Sequence, residues 1–391
     1  MIGGRVEWAG RSGASLLPVN GIVAEVARRG RVSFRTFMEL ALYHPRCGYY
    51  TRRRRGPGPV GPEGDFITAP TASPLFVATL ARLFDTLAER LECGLTLLEL
   101  GAGEGVFLEN LTRAVRPTTL ARVVAVEIAP WARQRALRRC PNAEVVGGLE
   151  EVERPTGSVV LFASELYDAL PVHRVTMARR GGQLVLQEYF VEVASDGRLV
   201  WVRDTPESGE VATYLHESGI VLEEGQVAEV RPELRKIHAR NLAWCGRDAL
   251  ALVVEYGHPA RRLFDARSRR HGSLVAYTGH RLVRDVLSEP GRLDITAHVN
   301  FDDLEGAAAD VGWDRGELRP LGLFLALHGA VSLLPSRKNG PLTPAEWAAL
   351  AAAKKLLVPA GMASDLKVLA QGKGRVWRHY LDAATPPPME A

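Results

Sequence analysis

Apolar residues recur along this chain at two spacings, and the change from one to the other divides it. Over residues 21–43 they follow a 3–4 spacing. Ile22, Val23, Val26 and Ala27 share a stripe, and Ser33 is placed to cap the run FRTFMELALYH. The segment PLFVATLARLFDTLAERL, from residue 74, predicts a longer amphipathic helix. From residue 96 short apolar runs alternate with helical ones. TLLELG (96–101), VVAVE (123–127), AEVV (143–146) and SVVLFAS (158–164) predict strands with helices between them, hence a parallel sheet covered on both faces. After residue 172 the period falls to two. VHRVTMARRGGQLVLQEYFVEVASDGRLVWV predicts antiparallel strands turning at Gly181-Gly182 and Asp196-Gly197. A polar helix is expected within 231–244, a fifth parallel strand at LALVVEYG (250–257) and another at GSLVAYTGH (272–280). The tail 344–383 reads as largely helical and 384–391 as disordered. The expected organisation is an N-terminal helical segment (1–92), a core (93–330) with an insertion at about 172–248, and a C-terminal helical segment (331–391).

Composition narrows the class. The chain has 391 residues, 46% hydrophobic and 24% charged, enough to bury a full core. No apolar run approaches the ~18 residues of a membrane span. The N-terminus lacks the apolar stretch of a secretory signal, so a cytoplasmic location is expected and no membrane partner. The net charge of +4 comes without a basic stripe of interleaved aromatics, so nucleic acid is not expected as a partner. Cys47, Cys93, Cys140 and Cys245 are far apart with no CxxC pair, which suits reduced thiols and no metal. RRRRGPGPVGPEG (52–64) predicts a flexible loop with a solvated arginine tip, or a contact to a phosphate or an acidic partner.

The chemistry concentrates in LLELGAGEG (97–105). An apolar strand runs into Gly101-x-Gly103-x-Gly105 and then a helix, a turn at which backbone and ligand approach closely. A nucleotide-like cofactor then lies across the carboxyl edge of the sheet. The spacing is not the GxGxxG of a dinucleotide site, which argues against a dehydrogenase. Glu99, ahead of the glycines, suits a cofactor with a cationic amino-acid end. Glu127, closing the next strand, can accept both ribose hydroxyls. Together they specify S-adenosyl-L-methionine. Gly147-Gly148-Leu149-Glu150 follows the third strand, where an adenine would lie.

ASELYDALPVHR (163–174) follows the fourth strand and faces the reactive end of the cofactor. Glu165, Asp168 and His173 are the candidates for handling the acceptor. Methyl transfer demands positioning first, and a general base only where the acceptor must lose a proton. For a guanidinium acceptor two carboxylates would grip the planar fork. Structural roles stand beside these, Asp168 as a turn cap before Pro171 among them. In DITAHVNF (294–301), Asp294, Thr296 and His298 alternate onto one face if extended, either lining an acceptor pocket or forming a hydrogen-bonded corner.

These stretches, with FMELALYHPRCGYY, GDFITAPTASPLF, VLEEGQVAEV, VVEYG and PGRLDITAHVNF, resemble the bacterial MidA and mitochondrial complex I assembly-factor methyltransferases over about residues 33–330. The resemblance implies an α/β, seven-stranded class I methyltransferase fold and S-adenosyl-L-methionine as cofactor. It also implies arginine methylation of a respiratory complex I subunit in the mitochondrial branch. The resemblance carries cofactor binding onto Gly101, Gly103, Gly105 and Glu127; with Thr68, Glu99, Ala102, Ile128, Gly148, Leu149 and Glu165 these are the expected cofactor contacts. The segment around GDF (64–66), Thr68 and SPLF (73–76) is implied to fold over the cofactor. The chain departs from the family pattern near the acceptor. Ser164 stands for an Asn, Tyr167 for a Phe, Thr71 for a Glu, Glu255 for an Asp and Asn300 for an Asp. A protein arginine methyltransferase is therefore the leading expectation. A methyltransferase acting on a small molecule or peptide, and a non-catalytic assembly factor retaining the fold, are the alternatives. A homodimer is left open.

Overall fold

The structure, a computed structural model, describes residues 20–53, 56–336 and 341–384. The expectations for the extreme N-terminus and for 385–391 lie outside these residues. Strands occur in the order β1 (Val32–Ser33), β2 (Leu95–Leu100), β3 (Leu120–Val126), β4 (Glu144–Val146), β5 (Val159–Ser164), β6 (His173–Arg180), β7 (Gln183–Val193) and β8 (Leu199–Asp204). They continue with β9 (Val227–Val230), β10 (Ala249–His258), β11 (Val275–Thr278), β12 (Arg281–Val283), β13 (Asp294–Thr296), β14 (Val299–Asn300), β15 (Asp314–Pro320) and β16 (Leu366–Lys373).

The central sheet runs β15-β16-β10-β5-β2-β3-β4, with β14 paired to the end of β10. Strands β4, β3, β2, β5 and β10 are mutually parallel, and β16 is antiparallel to both its neighbours. This is the class I methyltransferase fold. The chain order reverses at β2, where β3 lies on one side and β5 on the other. At such a switch point a crevice opens beyond the carboxyl ends of the strands. The predicted parallel strands at 96–101, 123–127, 143–146, 158–164 and 250–257 all form. Their residues are buried on both faces in β2, β10 and most of β5, which is why they read as unbroken apolar runs. One face is covered by the helix Pro74–Leu91, whose Phe76 packs with Phe107 and Phe162, the latter two stacked at 4.2 Å. The helix Leu234–Trp244 packs on the other.

Two expectations are corrected. The segment 272–280 is not a parallel strand: β11 turns through Gly279-His280 directly into β12, and pairs antiparallel with β12 and β13 in a separate three-stranded sheet. The connection from β10 is long enough for a crossover, but Val275–Thr278 takes its backbone partners from β12 and β13 and none from the central sheet. The C-terminal segment is not only helical. Helices Pro344–Leu357 and Gly374–Ala384 form, but LKVLAQGK between them is β16, buried against β10 along eight residue pairs. A boundary at residue 330 would therefore remove a strand from the middle of the sheet.

The insertion forms the second sheet, β6 to β9, and the N-terminal segment adds β1 to it. Helix Phe34–Tyr43 starts at Ser33, whose hydroxyl accepts from Thr36 N, as the sequence predicts. It buries Phe34, Phe37, Met38 and Leu40 to Leu42 in a core shared with Leu293, Ile295 and Ala297. N-terminal segment, insertion and third sheet thus make one cap over the carboxyl edge of the central sheet.

Candidate active site

Beneath that cap lies a cavity of about 200 Å³ at the carboxyl edge of β2, β3 and β5. Its floor is the predicted glycine turn. Gly101, Gly103 and Gly105 all have positive φ (71°, 52° and 76°), the left-handed region that favours glycine. Their roles differ. A Cβ on Gly101 would sit 2.9 Å from Leu166, and one on Gly105 would sit 2.9 Å from the backbone of Ala136. Gly105 therefore serves the packing of helix Val106–Ala114 against helix Pro130–Arg139. A Cβ on Gly103 would meet no protein atom within 4 Å, because it faces the cavity.

Glu127 follows the last residue of β3 and lines the cavity. Its Oε2 accepts from Gly103 N at 2.8 Å and its Oε1 from Ala129 N at 2.7 Å. Two backbone amides thus fix the carboxylate plane and leave each oxygen a second lone-pair direction for a diol. Glu99 projects from β2 into the same cavity. It is buried, its Oε2 has no hydrogen-bond partner, and burial raises its pKa well above the usual carboxylate range, with Glu127 adding to the shift. A buried carboxyl oxygen without a donor is costly, and an ammonium group is the partner that relieves it. Ser164 Oγ is a second buried, unpartnered atom in the wall. These features fit S-adenosyl-L-methionine: Glu127 would hold a diol and Glu99 an amino-acid end, which would leave the methyl-bearing end for the wall at Ser164–Leu166. Replacing Glu127 by Ala is expected to weaken S-adenosyl-homocysteine binding by about 10- to 100-fold, the loss of charge-assisted hydrogen bonds, measured by isothermal titration.

The acceptor side is acidic. Glu165 follows β5 with φ of 52°, a left-handed conformation that strains a side-chain-bearing residue by ~1–3 kcal/mol and is held by its surroundings. Its N donates to Val254 O of β10 at 2.8 Å, and its Oε1 accepts from Ala69 N at 3.0 Å. The Glu165 pKa is pushed up to about 8 by burial, then by Asp168. Asp168 is also buried, with its pKa pushed up to about 6 by burial against the pull of Arg231. It stands behind the cavity wall rather than in it. Arg231 is itself buried and donates to four carbonyls, of Asp168 (2.7 Å), Leu170 (2.9 Å), Ala297 (2.7 Å) and His298 (3.0 Å). It ties the acceptor loop to the DITAH segment. Asp294 Oδ1 accepts from Tyr50 OH at 2.5 Å. Glu255 Oε1 accepts from Leu166 N (2.8 Å) and Tyr167 N (2.6 Å), so the residue found in place of an Asp shapes the same loop.

The cap closes over this floor. Pro59, Val60, Phe66, Thr68, Pro70 and Thr71 line the cavity with Tyr43 and Tyr50. The loop 56–66 is pinned rather than loose. Asp65 accepts from Gly279 N (2.9 Å) and Tyr49 OH (2.7 Å), Arg135 pairs with Glu104 (2.8 Å) and donates to Gly56 O (2.8 Å), and Trp131 Nε1 donates to Tyr50 O (2.7 Å). The Gly and Pro content of 52–64 predicts a flexible loop. Its anchors are residues far along the chain, which local composition does not register.

Of the predicted site residues, Thr68, Glu99, Gly101, Ala102, Gly103, Glu127, Ile128 and Glu165 line the cavity. Gly105 supports it from below. Gly148 and Leu149 do not line it. Leu149 is turned into the core with Leu98, Leu100 and Val124, because β4 is only three residues long and ends in a tight 3₁₀ turn. His173 is also displaced from the acceptor end. It lies on β6 with Nδ1 2.6 Å from Glu188 Oε1, inside the antiparallel sheet. Asp294 and His298 do not share one face, since the first meets Tyr50 and the second Arg269. Tyr43, Tyr50, Phe66 and Trp131 were not singled out from sequence. Their aromatic character was visible, but their convergence depends on the cap.

A family model described as "Putative S-adenosyl-L-methionine-dependent methyltransferase" matches residues 79–318. The chain belongs to this family. It is 26% identical over 319 residues to the mitochondrial protein arginine methyltransferase NDUFAF7 of Danio rerio, covering 74% of this chain and 71% of the relative. It is 27% identical over 317 residues to the homologous mitochondrial protein of Drosophila melanogaster, covering 71% and 67%. Among solved structures, a superfamily member from Burkholderia thailandensis bound to S-adenosyl-homocysteine superposes with a TM-score of 0.76 at 27% identity, covering 91% of this chain and 92% of that one. The chain is thus an S-adenosyl-L-methionine-dependent methyltransferase of the MidA and assembly-factor type. The cytoplasmic expectation is corrected by the same comparison: these curated relatives are named as mitochondrial proteins. No helix among the described residues is long and apolar enough to cross a membrane.

One departure from the family pattern has a visible compensation. The Tyr167 hydroxyl, absent from a Phe, meets His238 Nδ1 at 2.9 Å and accepts from Asn241 Nδ2 at 3.2 Å. His238 Nε2 continues to Gln371 Oε1 at 2.8 Å, all buried. Tyr167→Phe, although it restores the usual residue, is expected to lower unfolding free energy by about 1–3 kcal/mol in urea titration, because it strands two buried polar groups.

Proposed function

We propose that the chain methylates the guanidinium of an arginine in a protein acceptor. The observation that carries this reading is the buried carboxyl of Glu165 at the cavity wall, with Asp168, Glu255 and Asp294 within its electrostatic reach. Clustered buried carboxylates disfavour their own ionisation and favour a cation that supplies compensating charge. A guanidinium does so with a rigid fork of donors. When bound, the cofactor supplies an electrophilic methyl group on a sulfonium. Glu165 Oε1 is held by Ala69 N, so its second oxygen is free to orient the acceptor nitrogen. That nitrogen gains the methyl group and loses one proton, and the Glu165 carboxylate is placed to take it. The cap, with Phe66 and Tyr50 in its inner face, excludes water from the transfer. The names of the curated relatives as protein arginine methyltransferases support the same acceptor. The family resemblance further points to a respiratory-complex subunit.

The test is transfer of isotopically labelled methyl groups from the cofactor to proteins of a cell extract, followed by acid hydrolysis. Label recovered as methylarginine supports the proposal. Label confined to small molecules, or to another amino acid, contradicts it.

A further inference from the structure

Next to the acidic end lies a cluster of opposite charge that methyl transfer itself does not use. Strand β10 ends on His258, which is 7% exposed. Arg269, on the following loop, donates through Nη2 to His258 Nε2 at 2.5 Å and through Nη1 to His298 Nδ1 at 3.1 Å. A guanidinium has donors only, so both ring nitrogens that face it are lone pairs and both imidazoles are neutral. The proton of His258 then resides on Nδ1. That atom is buried and has no hydrogen-bond partner. Among the described residues Arg269 forms no ion pair with a carboxylate, and part of its donor fork is unused. Lys367, whose Nζ donates to the carbonyls of Ser364 (2.6 Å) and Asp365 (3.0 Å), and Arg262 add positive potential at His258.

The cluster adjoins the acceptor end. The Tyr256 ring stacks 6.3 Å from that of His298, and its hydroxyl is in the field of Glu165 and Asp168. Ala297, next to His298, donates its N–H to Asp168 O at 3.0 Å. Among the described residues Asp365 is the one carboxylate whose field reaches Arg269, without pairing with it, and a half-buried arginine flanked by neutral rings and without a paired carboxylate is unfavourable unless a ligand brings one.

We propose that His258, Arg269 and His298 form an anion subsite that binds a side-chain carboxylate of the protein acceptor, close to the arginine that is methylated. The subsite rests on the reading of the acceptor as a protein. With the Tyr256 hydroxyl in the field of Glu165 and its ring stacked on His298, which Arg269 contacts, the pair of sites selects an arginine accompanied by an acidic residue. Such paired charges fix register and reject acceptors of the wrong pattern.

The test uses the full chain saturated with S-adenosyl-homocysteine and labelled in its histidine ring nitrogens. The probes are glutarate, inorganic phosphate, and two synthetic arginine peptides that differ only by Glu or Gln beside the arginine. Glutarate is expected to shift the ring signals of His258 and His298. Arg269→Gln is expected to weaken that response by about tenfold or more, and the Glu peptide to bind about tenfold tighter than the Gln peptide. Ring signals unmoved by glutarate would overturn the subsite, as would an undiminished response in Arg269→Gln or equal affinity of the two peptides. A response to phosphate alone would overturn its assignment to a carboxylate. Methylarginine formation in extracts is read separately, so the subsite can fail while the proposed activity stands.

Discussion

Glu165→Gln is expected to lower kcat for methyl transfer by about 10²- to 10⁴-fold, the range for loss of a positioned general base, with S-adenosyl-homocysteine binding unchanged. Gln keeps the side-chain shape and can still accept from Ala69 N, so the strained backbone at 165 and the cavity wall remain. What disappears is the ionisable oxygen proposed to take the acceptor's proton. The same residue sets the pH dependence. Its pKa of about 8 leaves the carboxyl protonated at neutral pH in the free protein, so kcat/KM is expected to rise as pH passes through about 8. Glu165→Gln should flatten that limb. Stability runs the other way. The folded pKa lies above the unfolded value of 4.5, so the folded state holds the proton more tightly. The stabilisation from Glu165 is full below pH 4.5 and is lost as pH rises to about 8. Denaturant titrations of the cofactor-free wild type and of Glu165→Gln should therefore diverge across that window, with the mutant less sensitive to pH.

Gly103→Val should abolish cofactor binding while the protein stays folded. The Cβ meets no protein atom within 4 Å, so the branched side chain enters the cavity rather than the core. Its φ of 52° adds strain of ~1–3 kcal/mol, which lowers the melting temperature without preventing folding. A loss of more than about 100-fold in affinity for S-adenosyl-homocysteine is expected, equivalent to roughly 2.7 kcal/mol. Gly105→Ala should behave in the opposite way. Its Cβ meets Ala136 backbone at 2.9 Å, so stability falls first and binding only as a consequence. The two variants, compared by thermal melts and isothermal titration, separate a glycine needed by the ligand from one needed by the fold.

The parts of this molecule that were legible in the sequence are those whose geometry is local. A strand running into Gly101-x-Gly103-x-Gly105 and a carboxylate closing the next strand define each other at short range. Both line the same cavity, and the structure adds a contact the sequence does not predict, the hydrogen bond from Gly103 N to Glu127 Oε2. Glu165 was legible because it follows a parallel strand at the carboxyl edge. What failed depended on long-range pairing. LKVLAQGK carries no strict alternation because β16 is buried on both faces, and its helical flanks drew it into a helical reading. VAYT looked like another buried parallel strand, and only its immediate turn into β12 shows otherwise. His173 sits close in sequence to Glu165, but the chain leaves the sheet edge at Pro171 and carries it into the cap, where Glu188 holds it. The loop 52–64 reads as flexible by composition, and its described part is held by Arg135 on Gly56 and by Asp65, just beyond it, meeting Thr278–His280 more than two hundred residues later.

S-adenosyl-L-methionine is expected to enter the cavity in one direction, with ribose at Glu127, amino-acid end at Glu99 and sulfur toward Glu165. A crystal structure of the full chain with S-adenosyl-homocysteine tests it most directly. The expected result is both ribose hydroxyls on the Glu127 carboxylate, the ligand ammonium on Glu99 Oε2, and the sulfur facing Ser164–Leu166. A ligand bound in the reverse direction, or outside the Gly101–Gly105 turn, would contradict it.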